Sequence, residues 1–105
     1  MFKKDLISLQ KLLLRIPRGM VATYGGMAKA MNMPKSARYM GFLLKSNPLP
    51  DKFPCYKVIK GSGEVGGYSA PSGIQEKIRR LRKEGVIIKK GKIIDFESKI
   101  FKFNA

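Results

Sequence analysis

Residues 23–45 read TYGGMAKAMNMPKSARYMGFLLK. Thr23 is suited to cap a helix over about residues 24–31, with Met27, Ala28 and Met31 on its inner face. Gly25 and Gly26 weaken the start of that helix and permit close approach of another surface. Asn32-Met33-Pro34 interrupts the pattern for about three residues. A second helix follows over about 35–45, with Ala37, Met40, Leu43 and Leu44 on one side. Two short helices joined this tightly form a helix-turn-helix unit, and the fold reading rests on it. The pattern alone does not specify a ligand, because many paired helices share it and bind nothing.

Working outward, residues 5–16 read as an amphipathic helix carrying Leu6, Leu9, Leu13 and Ile16, capped by Asp5 and stopped by Pro17. Arg18-Gly19 makes a turn, and Met20-Val21-Ala22 is a strand or an extended lead-in. Beyond the second helix, Asn47-Pro48-Leu49-Pro50-Asp51 is a stiff loop, since each proline fixes φ. Pro54 and Cys55 precede the strand-like Tyr56-Lys57-Val58-Ile59, and glycines punctuate residues 61–67. A last helix spans about 72–83, with Ile74, Ile78 and Leu81 as its apolar stripe and Lys77, Arg79, Arg80 and Arg82 around the rest. Val86-Ile87-Ile88 and Ile93-Ile94-Asp95-Phe96, around a Lys89–Lys92 turn, have the β-branched content of a hairpin. The expectation is a single α+β domain over residues 1–105, a small winged helix-turn-helix, mostly helical with short strands.

Composition narrows the partner. Twenty-two Lys and Arg against seven Asp and Glu give a formal charge of +15 in 105 residues. Such self-repulsion gains a fold nothing, so an anionic partner is expected, nucleic acid first and anionic lipid second. No apolar run reaches the ~20 residues that cross a bilayer, and Gln10, Lys11 and Arg15 interrupt any signal-peptide core. A cytoplasmic protein is expected. One Cys and no His leave no internal disulfide, no ordinary zinc site and no Cys-His dyad. No metal is expected.

Pro54-Cys55-Tyr56-Lys57-Val58-Ile59 resembles the Pro-Cys-His-Arg-Val signature of O6-alkylguanine-DNA alkyltransferases. Val21-Ala22-Thr23-Tyr24-Gly25, Ala37-Arg38 with Gly41, Asn47-Pro48-Leu49-Pro50, Gly66-Gly67-Tyr68-Ser69 and Glu84-Gly85 match in the same order. The resemblance covers about residues 8–88. It implies a minor-groove binder that flips an alkylated guanine and moves the alkyl group irreversibly to Cys55, without a cofactor. By matching position, Arg38 is the finger entering the stack, and Tyr24 presses on the phosphate and lies close to the purine. Asn47 ties the helix-turn-helix to the cysteine loop. Catalytic roles fall to Cys55, Tyr24 and Glu84, and DNA contacts to Tyr24, Arg38, Tyr39, Gly41, Phe42 and Lys45. Asn47, Pro50, Tyr56, Val58, Tyr68 and Ser69 line the pocket. The implied partner is double-stranded DNA containing alkylated guanine, met by a monomer, with repair proteins as further partners. Residue chemistry agrees, because a dealkylating nucleophile must be soft and anionic, as a thiolate is.

Four departures from the family pattern matter. Tyr56 stands where the family has the histidine that, with a glutamate behind it, takes the cysteine proton. A phenol is a poor base at neutral pH, which makes Cys55 a slow nucleophile or leaves its activation to neighbouring dipoles and Lys57. No counterpart of the family's N-terminal domain is expected in this chain. In this it resembles the single-domain alkyltransferase-like proteins, which bind damage without repairing it, recruit excision repair and generally replace the cysteine. Tyr39 and Phe42 occupy positions where the family prefers small residues; packing on the wing is expected, with wedging or stacking on nucleic acid as the alternative. Two extra residues between Ser69 and Gly73 alter the pocket rim at Ala70, Pro71 and Ser72. The rival functions are a non-catalytic damage sensor and a helix-turn-helix transcription regulator.

Overall fold

The computed structural model describes residues 2–47, 52–66 and 73–103. Elements run in the order α1 (Phe2–Leu13), β1 (Ala22–Thr23), α2 (Tyr24–Ala30), α3 (Ala37–Lys45), a 3₁₀ turn (Cys55–Lys57), β2 (Val58–Ile59), α4 (Gly73–Lys83), β3 (Ile88–Lys89), β4 (Lys92–Ile93) and α5 (Phe96–Lys99). The architecture is α+β, with a helix-turn-helix at its centre and a short hairpin as wing.

The helix-turn-helix is fixed at both ends of α2 by local chemistry. Thr23 Oγ1 accepts from the Gly26 N–H at 2.9 Å, satisfying one of the donors a helix start leaves open. At the other end Asn32 adopts a left-handed φ of 61°. This lets Asn32 N–H reach Lys29 O at 3.0 Å and Met33 N–H reach Ala28 O at 2.8 Å, a Schellman close. Pro34 then cannot extend the helix, and α3 starts three residues later.

Apolar side chains from α1, α2, α3 and the cysteine turn converge on one core: Leu9, Leu13, Met27, Met40, Leu43, Cys55 and Val58. Each such aliphatic side chain, fully buried, contributes about 1.5–3 kcal/mol. That far exceeds the ~0.3–0.5 kcal/mol of an exposed helix pair such as Glu76 with Arg79 or Arg80 on α4. A second cluster of Val21, Ile59, Val65, Leu81, Val86, Ile88 and Ile93 seats α4 and the wing. Strand β1 runs parallel to β2 with Ala22 opposite Val58 and Thr23 opposite Ile59. The wing turns on Lys90 and Gly91, both at positive φ (53° and 77°), the geometry a two-residue hairpin requires.

Several local expectations are corrected. Asp5 lies within α1 and caps nothing; its carboxylate accepts from Tyr39 Oη at 2.6 Å. Tyr39 is therefore held against α1 and stacks on Phe42, with centroids 6.3 Å apart, and does not pack on the wing. Tyr56 and Lys57 form part of a 3₁₀ turn, so only Val58–Ile59 is strand. Phe96 starts a short helix where a strand was expected. In α4, Ile74 is exposed and Lys77 buried, the reverse of the expected stripe.

Candidate active site and nucleic-acid interface

The parallel pairing of β1 with β2 builds the site. Tyr24 follows β1 directly and the Cys55–Lys57 turn directly precedes β2, so pairing the strands brings phenol and thiol together. Both belong to the same core cluster, Cys55 only 7% exposed and Tyr24 partly buried against it. Burial raises the Tyr24 phenol above its ordinary value, and the charge of a Cys55 thiolate raises it further. Asn47, just past the end of α3, donates through Nδ2 to Phe53 O at 2.8 Å. The same carbonyl accepts Cys55 N–H at 2.8 Å, so one acceptor joins the second helix to the cysteine turn. Gln10 Nε2 adds a longer contact to Asn47 Oδ1 from α1.

Behind the turn lies a closed ionic network. Glu84 sits where α4 ends, and Gly85 beyond it has φ +93°. Its Oε1 accepts from Lys57 Nζ at 3.0 Å and from Gly19 N–H at 2.9 Å, while Oε2 accepts from the Tyr56 hydroxyl. Lys57 Nζ also donates to Ile16 O and Pro17 O at 3.2 and 3.1 Å. Burial would raise the Glu84 carboxyl, but hydrogen bonds from Tyr56, Gly19 and Lys57, with the Lys57 charge, hold it below the ordinary carboxylate value. Burial first, then the bond to Glu84, push Tyr56 well above an ordinary phenol. Lys57 thus serves Glu84 and the helix end, not the thiol, contrary to the expectation that it assists Cys55. Gly19 is required here: its φ is +83°, and a Cβ would stand 3.3 Å from Glu84 O.

Of the expected DNA contacts, Tyr24, Arg38, Gly41, Phe42 and Lys45 line one groove of about 530 Å³, together with Ala37 and Lys60. Arg38 and Lys45 are exposed, and Phe42 is 55% exposed although large and apolar. Tyr39 points away to Asp5. Val58 is fully buried in the cluster that holds Cys55, and its carbonyl accepts from Lys77 Nζ at 2.6 Å. Pro50, Tyr68 and Ser69, and the rim at 70–72, lie outside the described residues.

Two residues escaped the reading from sequence. Lys60 follows β2 and supplies a cation on the groove's far wall; a lone lysine after a strand carries no signal. Lys77, 1% exposed, has its Nζ 5.9 Å from the centroid of the Tyr24 ring. Burial lowers it to about 8, against the opposing pull of Cys55. The signal was its spacing, four residues before the buried Leu81 on the same helix face. Among the described residues no group of three metal-ligating side chains occurs, and no helix is long and apolar enough to cross a membrane.

Comparison with known proteins places these features. The family described as 6-O-methylguanine DNA methyltransferase, DNA binding domain, matches residues 7–86. A bifunctional methyltransferase/endonuclease of Thermoplasma volcanium is 48% identical over 99 residues, 93% of this chain but 31% of that protein. A methylated-DNA–protein-cysteine methyltransferase of Archaeoglobus fulgidus is 46% identical over 76 residues, 69% of this chain and 50% of that protein. The chain therefore spans about a third to a half of these relatives' length. The crystal structure of S. pombe Atl1 in complex with damaged DNA containing O6-carboxymethylguanine superimposes with a TM-score of 0.84 at 27% identity, covering 95% of this chain and 96% of that one.

Proposed function

The chain belongs to the family of 6-O-methylguanine DNA methyltransferase DNA-binding domains, and from that premise we propose that it turns an O6-alkylated guanine out of duplex DNA and takes the alkyl group onto Cys55. The observation that carries this reading is the double position of Tyr24. It lines the cationic groove and also packs in the core beside Cys55, so a nucleotide leaving the groove passes it to reach the sulfur. In the transfer, the thiolate forms a bond to the alkyl carbon, the carbon–O6 bond breaks, and its electron pair stays on guanine, which then takes up a proton. A thioether is stable, so each molecule acts once and needs no cofactor.

Around that step the other residues take roles by position. Arg38, on the outer face of α3, fills the space the base vacates, since a guanidinium both stacks and hydrogen-bonds. Phe42, one helical turn further along, offers an exposed ring to the neighbouring bases. Lys45 and Lys60 contact phosphates, and Gly41 leaves room for the backbone, since no atom lies within 4 Å of where its Cβ would stand. Asn47 holds the cysteine turn against α3.

A second reading is damage sensing without transfer. It is favoured by Tyr56, whose hydroxyl is committed to Glu84 and whose proton burial retains. It is also favoured by the likeness to Atl1 over nearly the whole chain. In that case the bound lesion is handed to a repair partner, and the name of the Thermoplasma relative supports a nuclease in that role.

Titrating the chain with a duplex containing O6-methylguanine and with the same duplex unmodified tests both readings. Lesion preference with recovery of unmodified guanine supports transfer, and lesion preference without recovery supports sensing. Equal affinity for the two duplexes contradicts both. Arg38→Ala is expected to reduce the preference for lesion DNA about tenfold or more while lowering affinity for plain duplex only a few-fold. A uniform loss would make Arg38 a phosphate contact.

A further inference from the structure

The groove face of α3 carries an aromatic ring as well as cations, and a second helix holds that ring in place. Arg38 and Phe42 stand one helical turn apart on the same side of α3. Phe42 is 55% exposed and lines the groove with Arg38, Lys45 and Lys60. Tyr39 stands beside it, with ring centroids 6.3 Å apart and planes inclined by only 17°, within the range over which aromatic pairs attract. The Tyr39 hydroxyl donates to the Asp5 carboxylate of α1 at 2.6 Å. That bond raises the phenol above its ordinary value, so its proton stays in place at neutral pH. Ser36 at the head of α3 makes no side-chain cap, and the bond to α1 ties down the first turn of the helix.

Asp5, Tyr39 and Phe42 thus form a relay: an anchored carboxylate, a partly buried phenol, and a ring presented to the groove. An unrestrained exposed phenylalanine loses rotamer freedom on binding, whereas one stacked on an anchored tyrosine has lost part of it beforehand. The charges around the ring decide what it meets. Arg38, Lys45 and Lys60 supply three cations, and no carboxylate occurs among the described residues lining the groove, so the face fits a polyanion. Four residues of helix rise ~6 Å and stacked bases rise ~3.4 Å. With Arg38 in the space of the flipped base, Phe42 meets the duplex within about two base steps of the lesion.

We propose that Phe42 is a second wedge, held by Tyr39 and Asp5, that opens a base step near the lesion and makes recognition depend on how easily that step deforms. The inference rests on the base-flipping reading above and is common to transfer and sensing. Apolar side chains that enter the minor groove unstack the step they enter and kink the duplex. The cost varies with sequence, low at pyrimidine–purine steps such as TA and high in stiff A-tracts. Arg38 replaces the lost base, and Phe42 sets which neighbouring sequence permits the replacement. Tyr39 and Asp5 are positioning residues, since neither lines the groove.

The test uses duplexes that carry one O6-methylguanine and differ only at a step one or two pairs away, TA in one set and AA in the other, on each side of the lesion. A·T and T·A pairs present the same minor-groove acceptors, so a difference in affinity reads deformability. At one of these positions the wild type should bind the TA duplex about tenfold more tightly. Phe42→Ala, an exposed site that leaves the core intact, should bring the two within about twofold, and Phe42→Leu, still an apolar wedge, should keep most of the preference. Tyr39→Phe keeps the ring stack without the bond to Asp5 and should lower the preference about threefold. 2-Aminopurine at the preferred step should brighten several-fold on binding the wild type and little on binding Phe42→Ala. A wild type indifferent to the step, a preference that survives Phe42→Ala, or tighter binding of every duplex by Phe42→Ala overturns the wedge. An unchanged preference in Tyr39→Phe overturns the part given to Tyr39 and Asp5. Lesion preference without step dependence leaves base flipping standing and the wedge refuted. Step dependence that is equal on lesion and plain duplex does the reverse.

Discussion

Glu84→Ala is expected to lower folding stability by about 3–5 kcal/mol, the cost of leaving a buried charge without its partner. The Glu84 and Lys57 side chains are 7% and 6% exposed, so removing the carboxylate strands an ammonium that solvent does not reach. The Gly19 N–H and the Tyr56 hydroxyl lose their acceptor in the same step. Glu84→Gln separates shape from charge: its single amide oxygen keeps an acceptor for Gly19 N–H or for the Tyr56 hydroxyl but not both, the ion pair is lost, and it should cost less than Glu84→Ala. The pH dependence has a fixed sign. The folded state holds Glu84 below its ordinary value, so its stabilisation is fully present above about 4.5 and is lost as pH falls through the folded value. Urea denaturation at several pH values should show that acid loss in the wild type and a flatter curve in Glu84→Gln. A change below about 1 kcal/mol for Glu84→Ala would mean that the network is not a structural element.

Cys55→Ser should reduce alkyl transfer about a thousandfold or more while leaving affinity for lesion DNA within a few-fold. Serine reproduces the shape of cysteine, but a hydroxyl is neither soft nor appreciably ionised near neutral pH, and no base in the site is strong enough to ionise it. The groove residues Arg38, Phe42, Lys45 and Lys60 are on α3 and beyond β2, and the substitution does not touch them. Lesion binding and guanine recovery, measured side by side, should therefore separate completely. Loss of both together would mean that Cys55 serves the core, where it is already packed with Met40 and Val58.

The helix-turn-helix was legible because its signals are local: a threonine at the cap, asparagine at the left-handed close, proline after it, and apolar residues at helical spacing. The site residues that share one groove were legible through motif order. What escaped depends on tertiary neighbours. Asp5 has the chemistry of a cap, but α1 begins three residues earlier and the carboxylate finds Tyr39 instead. Lysine 77 lies on the inner face of α4 with Leu81, where burial beside Cys55 overrides the usual reading of a lysine as solvated. Lys57 is near the thiol in sequence, yet a 3₁₀ turn aims it at Ile16, Pro17 and Glu84. Phe96 has strand composition, but Asp95 at φ 59° ends the hairpin and starts a helical turn. In each case sequence neighbours set the propensity and spatial neighbours set the outcome.

Transfer requires that an extrahelical guanine bring its O6 substituent to Cys55. The direct measurement is the intact mass of the chain after incubation with a duplex containing one O6-methylguanine, followed by peptide mapping. The account predicts a single added methyl group on the peptide containing Cys55, formed once per molecule and absent in Cys55→Ser. An unchanged mass after saturating, lesion-specific binding would contradict it and leave a sensor that holds the base without reacting.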